Sequence, residues 1–104
     1  MSKQKSLNEY LAAVDPDVAA SFRALRGSAQ KSGDLSSETL ELITLASFAT
    51  ARMELAFKSH AKRACENGLP KASVQHAVVT LLGASLPMAT VVETLQWLDD
   101  VTPA

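Results

Sequence analysis

The sequence predicts an all-α protein, a compact bundle of five to six helices, and three observations carry this. Apolar residues recur at spacings of three and four along most of the chain, and no stretch alternates with the period of two that a half-buried strand needs. Aromatic residues, which strands favour, make up 5% of the 104 residues. Helix-capping signals stand at the head of successive segments. A chain of this length is expected to form a single domain, residues 1–104, burying roughly two-thirds of the surface its unfolded form exposes.

The elements follow in order. Ser6, with Glu9 three residues on, makes a capping box for a short helix whose stripe is Leu7, Tyr10, Leu11 and Val14. Asp15-Pro16-Asp17 opens a second helix, with Asp as N-cap, Pro at the first helical position and an acid in the first turn. Its stripe is Val18, Phe22 and Leu25, and Gly33 is its natural stop if Gly27 is tolerated. Ser36 caps the next segment, and from there to Asn67 neither Gly nor Pro interrupts the chain. Local rules allow one helix of about 31 residues here, or two helices with a break near Ala49–Met53, which suits a small domain better. Gly68 ends the helix that carries His60, and Leu69-Pro70 leads into another with Val74, Ala77, Val78, Leu81 and Leu82 on its buried face. After Gly83 and Pro87, Met88 to Asp99 forms the last helix through Val91, Val92, Leu95 and Leu98.

Two polar residues stand out in this apolar setting. His60 shares a stripe with Met53, Ala56, Phe57, Ala61 and Ala64, while Glu54, Lys58, Lys62 and Glu66 lie on the outer side as i,i+4 pairs. Glu41 lies one turn into a strongly apolar helix whose dipole Glu38 already complements. Either can be a structural group, the imidazole bonding two helices together and the acid serving the helix terminus. A carboxylate beside an imidazole would instead orient it as an acid/base. Geometry decides. The nineteen residues between them would separate them by about 28 Å on one straight helix. A reversal near Thr50 can bring them together.

The totals exclude several functions. The net charge is −1 with Lys and Arg scattered, which argues against nucleic acid or an anionic membrane as a partner. No apolar run approaches the ~18 residues that span a bilayer, and Met-Ser-Lys-Gln-Lys-Ser is not followed by the apolar core of a signal peptide. The single cysteine, Cys65, fits a cytoplasmic protein without internal disulfides. No His, Cys or acid pattern has metal-ligand spacing and no Gly-rich phosphate loop is present, so neither a metal nor another cofactor is expected. Between Leu40 and Ala51 only Glu41, Thr44, Ser47 and Thr50 are polar. So apolar a helix needs more covering than a small monomer provides, which predicts a homo-oligomer.

The run Glu41-Leu-Ile-Thr-Leu-Ala, then His60-Ala-Lys-Arg-Ala-Cys-Glu-Asn-Gly68, then Gly83-Ala-Ser-Leu-Pro87 resembles the carboxymuconolactone decarboxylase/alkylhydroperoxidase D (AhpD)-like family. The resemblance covers about residues 36–98 and weakens back to Asp15. It implies an all-helical fold assembling as trimers or hexamers, with a small pocket near the subunit contacts. In the redox branch a Cys-x-x-Cys pair precedes the His, and those positions fall here on Met53 and Ala56. Peroxidase chemistry needs a thiolate and a resolving partner, so the resemblance argues against it. Cys65, well off the His60 face and without a second Cys, does not replace the pair. The lactone branch keeps a site His without the thiols. It implies a cofactor-free lyase acting on a small carboxylated lactone, with His60 as acid/base and Glu41 as its orienter. An anionic substrate calls for a cation: Arg52 beside the turn, with Arg63 as the weaker choice. Met53, Ala56 and Phe57 complete the expected substrate-binding set with Arg52. The other reading is a redox-silent oligomeric module for binding or scaffolding. His76, with no acidic neighbour at helical spacing, reads as a surface residue or a second catalytic histidine.

Overall fold

A computed structural model describes residues 6–103 of the protein, so the N-terminal stretch read above for a signal peptide lies, apart from Ser6, outside the described residues. Helix α1 spans Leu7–Val14, α2 Pro16–Gln30, α3 Ser37–Thr50, α4 Glu54–Glu66, α5 Lys71–Thr80 and α6 Met88–Val101. No strand occurs among the described residues. The capping signals operate as read. Ser6 Oγ accepts from the Glu9 amide at 3.1 Å while Glu9 Oε1 accepts from the Ser6 amide at 3.2 Å. Asp15 Oδ1 accepts from Val18 N, and Ser36 Oγ from Thr39 N, both at 3.1 Å. Helix α2 stops at Gln30, before Gly33, because the Lys31 and Ser32 amides bond back to Ser28 and Ala29 and tighten the last turn. Gly68 does end α4: with φ at 107° it lets its own amide reach Cys65 O at 3.1 Å and the Leu69 amide reach Ala64 O at 3.0 Å.

The chain divides into two units, Met1–Asp34 and Leu35–Ala104. In the first, α1 packs on α2 and Ala19 is buried. Val18, Phe22 and Leu25, the apolar stripe of α2, are exposed, Phe22 by 47%. A helix pair this small has too little chain to enclose both of its sides. These three residues, with Asp17 and Ser21, line an open depression on α2.

In the second unit α3 packs on α4 and on α5, and α6 packs on the same two helices, which closes a ring. Its core joins Leu45 and Ala49 of α3, Phe57 and Ala61 of α4, Val74 and Val78 of α5, and Val91, Trp97 and Leu98 of α6. Burying each of the larger side chains stabilises the ring by roughly 1.5–3 kcal/mol. Phe57 and Trp97 meet at 5.9 Å between centroids with planes tilted by 57°, a favourable aromatic geometry that ties α4 to α6. Outside the core, the carboxylates of Glu54 and Asp100 lie 2.7 and 3.1 Å from Lys58 Nζ and hold that ammonium above the ordinary lysine range. No helix among the described residues is long and apolar enough to cross a membrane.

Candidate functional site

The segment between Ser36 and Asn67 is two helices, and the break falls at Ala51–Met53. Arg52 adopts φ 59°, the left-handed region that side chains other than Gly avoid. This geometry lets the Arg52 amide bond to Ala49 O at 3.2 Å and the Met53 amide to Phe48 O at 2.9 Å. It is the helix-ending motif that glycine usually serves. What holds an arginine there is its own side chain. Nη1 donates to Ala49 O at 3.0 Å and to Thr94 Oγ1 at 2.7 Å, and Nη2 pairs with the Glu93 carboxylate. The guanidinium carbon lies 4.2 Å from the centroid of the Trp97 ring, a cation–π contact. Thr94 is fully buried and donates in turn to Thr90 O at 2.8 Å. Helix α6 thus fixes the turn on which α4 folds back along α3.

That reversal brings Glu41 and His60 together. Glu41 Oε1 stands 3.9 Å from His60 Nδ1, and both side chains are 31% exposed. This is an ion-pairing distance, longer than a hydrogen bond. Glu41 Oε1 itself is withdrawn from solvent and accepts no hydrogen bond. Phe48, two turns after Glu41, packs its ring 5.0 Å from the imidazole centroid. From one turn further along α4, Arg63 Nη2 comes within 3.2 Å of His60 Nδ1. The site is therefore a half-buried imidazole between a carboxylate, an aromatic ring and a guanidinium. Such a group can take up a proton beside Glu41, and can hold or deliver one.

The other expected residues are placed unevenly. Met53 is exposed at the N-cap of α4 and Ala56 half-buried; both continue the His60 face of that helix at seven- and four-residue spacing. Phe57 is fully buried in the core. The Arg52 guanidinium is engaged by α6 as described, so a substrate carboxylate would have to displace Glu93 from it. Cys65 packs against the core, and burial pushes its thiol up. His76 is exposed on α5. Sequence reasoning missed Phe48 and the bond from Arg63 to the ring. Both had a signal: Phe48 lies seven residues from Glu41 and Arg63 three from His60, which are helix-face spacings.

A family model described as "CMD: Carboxymuconolactone decarboxylase family" matches residues 16–99, from the start of α2 nearly to the end of α6. Among curated proteins no match is found, and none among solved structures.

Proposed function

The chain belongs to the carboxymuconolactone decarboxylase family, and from that premise we propose that it is a cofactor-free acid/base lyase acting on a small carboxylated lactone. The observation that supports this is the approach of Glu41 Oε1 to His60 Nδ1 across the α3–α4 turn. Glu41 Oε1 is held out of water without a hydrogen bond, which costs about 1–3 kcal/mol, and a proton-handling pair with His60 accounts for that cost.

In the proposed reaction the C–C bond to the substrate carboxylate breaks and carbon dioxide leaves. The electron pair moves into the conjugated lactone and toward its carbonyl oxygen, and a proton from His60 ends on a ring carbon. The imidazole regains its proton from water. Glu41 balances the positive charge whenever the ring is protonated. Met53 and Ala56 offer apolar surface beside the ring, and Arg52 serves the substrate carboxylate only by exchanging Glu93 for it.

Peroxidase chemistry is disfavoured. Met53 and Ala56 stand where the redox branch carries its thiols, and burial pushes the Cys65 thiol up, away from the reactive thiolate. A second reading, a redox-silent oligomeric module for binding or scaffolding, is supported by the prior engagement of Arg52 with α6. Under either reading we propose that copies associate, as a trimer or hexamer, since Val18, Phe22 and Leu25 leave an apolar stripe exposed. A cytoplasmic setting belongs to the same proposal.

The deciding experiment is turnover of carboxylated unsaturated lactones by the wild type and by His60→Ala. Loss of turnover in the variant at unchanged oligomer size supports the lyase. Wild-type protein that neither binds nor converts any such lactone leaves the module standing.

A further inference from the structure

We infer that Arg63 is a positioning residue, fixing the neutral imidazole of His60 with its proton on Nε2 and its lone pair on Nδ1. This deepens the reading of His60 as the proton-carrying group and rests on it for its catalytic meaning, though not for its physical basis.

Arginine has only donors and does not deprotonate in proteins. A guanidinium nitrogen 3.2 Å from Nδ1 is therefore compatible with a hydrogen bond only if Nδ1 accepts. In a neutral ring an accepting Nδ1 leaves the proton on Nε2. Glu41 makes the opposite demand, because a carboxylate 3.9 Å from the same nitrogen gains from an Nδ1–H. Distance decides between them. The arginine stands within hydrogen-bonding range and the carboxylate outside it. The helix builds this in: residues three apart share a face, so Arg63 reaches back one turn to His60 from an otherwise exposed position on α4.

The consequence is a division of labour at Nδ1. Arg63 holds the neutral ring, and Glu41 is the partner once the ring is charged and Nδ1 carries a proton. Nε2, on the other side of the imidazole, is then the nitrogen that carries the neutral ring's proton. An N–H donor there can meet the carbonyl oxygen on which charge collects as carbon dioxide leaves.

The test is nitrogen NMR of the full chain labelled with 15N-histidine, in a His76→Gln background that leaves a single imidazole, at a pH where its own titration shows the ring neutral. Couplings to the ring carbon-bound protons tell the nitrogens apart, and the unprotonated one resonates far downfield. Expected is a downfield Nδ1 in the parent, in Glu41→Gln and in Arg63→Lys. In Arg63→Met the downfield signal moves toward Nε2, because Glu41 then selects Nδ1–H. A parent carrying its proton on Nδ1, or an Arg63→Met spectrum like the parent's, overturns the inference. Because the spectra need no substrate, absent lactone turnover with the expected tautomer sinks the lyase reading alone. Turnover with the opposite tautomer sinks the role of Arg63 alone.

Discussion

The carboxylate of Glu41 and the imidazole of His60 face each other across the α3–α4 turn, Oε1 3.9 Å from Nδ1. Neither residue reaches the other through its own helix. Their meeting depends on a three-residue reversal that places α4 against α3, and on the side chain at the centre of that reversal.

Removing Glu41 should separate function from stability. Glu41→Leu deletes a buried oxygen that accepts no hydrogen bond, so the variant should gain about 1 kcal/mol in urea unfolding. Lactone turnover should be lost. A variant destabilised by that amount or more would mean that the carboxylate stabilises the fold.

At Arg52 the usual order of small residues should invert. Arg52→Ala keeps the left-handed backbone at φ 59° and loses every bond to α6, and should cost about 2–3 kcal/mol. Arg52→Gly loses the same bonds but relieves the backbone, so it should be more stable than the alanine variant by about 1 kcal/mol. Chemical denaturation of the pair checks this; alanine at or above glycine refutes the account of the turn.

Thr94 and Arg52 should be energetically coupled. Thr94→Val removes the buried oxygen that accepts from Arg52 Nη1 at 2.7 Å, at a cost of about 1–2 kcal/mol. In a double-mutant cycle with Arg52→Ala the two effects should fall short of additivity by about 1 kcal/mol.

For Cys65 the pH dependence has a definite sign. Burial raises the folded-state pKa above the unfolded value, so the unfolded chain ionises first as pH rises. Its contribution is constant below the ordinary thiol range, and stability is lost as pH rises through that range toward the folded pKa. Cys65→Ser should lack this alkaline loss. Iodoacetamide should label Cys65 more slowly in the folded protein than in urea at the same pH, and hydroperoxide consumption should not differ between wild type and Cys65→Ser.

Much of this architecture could be read from the chain because its signals are local. Ser6 with Glu9, Asp15 with Pro16, Ser36, and Gly68 act through neighbours within a few residues, and each starts or stops a helix as its chemistry requires. The turn at Ala51–Met53 was harder to read. It has neither Gly nor Pro, and the groups that keep Arg52 in place, Glu93, Thr94 and Trp97, lie more than forty positions later. Glu41 and His60 were legible as polar residues on apolar faces. Arg63 read only as a second-choice substrate cation, because the reach of its side chain back to the ring is not given by sequence alone. The outward exposure of the α2 stripe was not legible for a related reason: periodicity marks an apolar face without saying what covers it.

The strap from Arg52 to α6 also orders events as the polypeptide is made. Glu41 and His60 are both added to the chain before Glu93, Thr94 and Trp97, and at about 5–20 residues per second that interval lasts seconds. Through it the bend has no clasp, and an arginine with an unanchored side chain has little reason to remain left-handed. The acid and the imidazole are therefore present early but acquire a fixed spacing late, when the last helix docks.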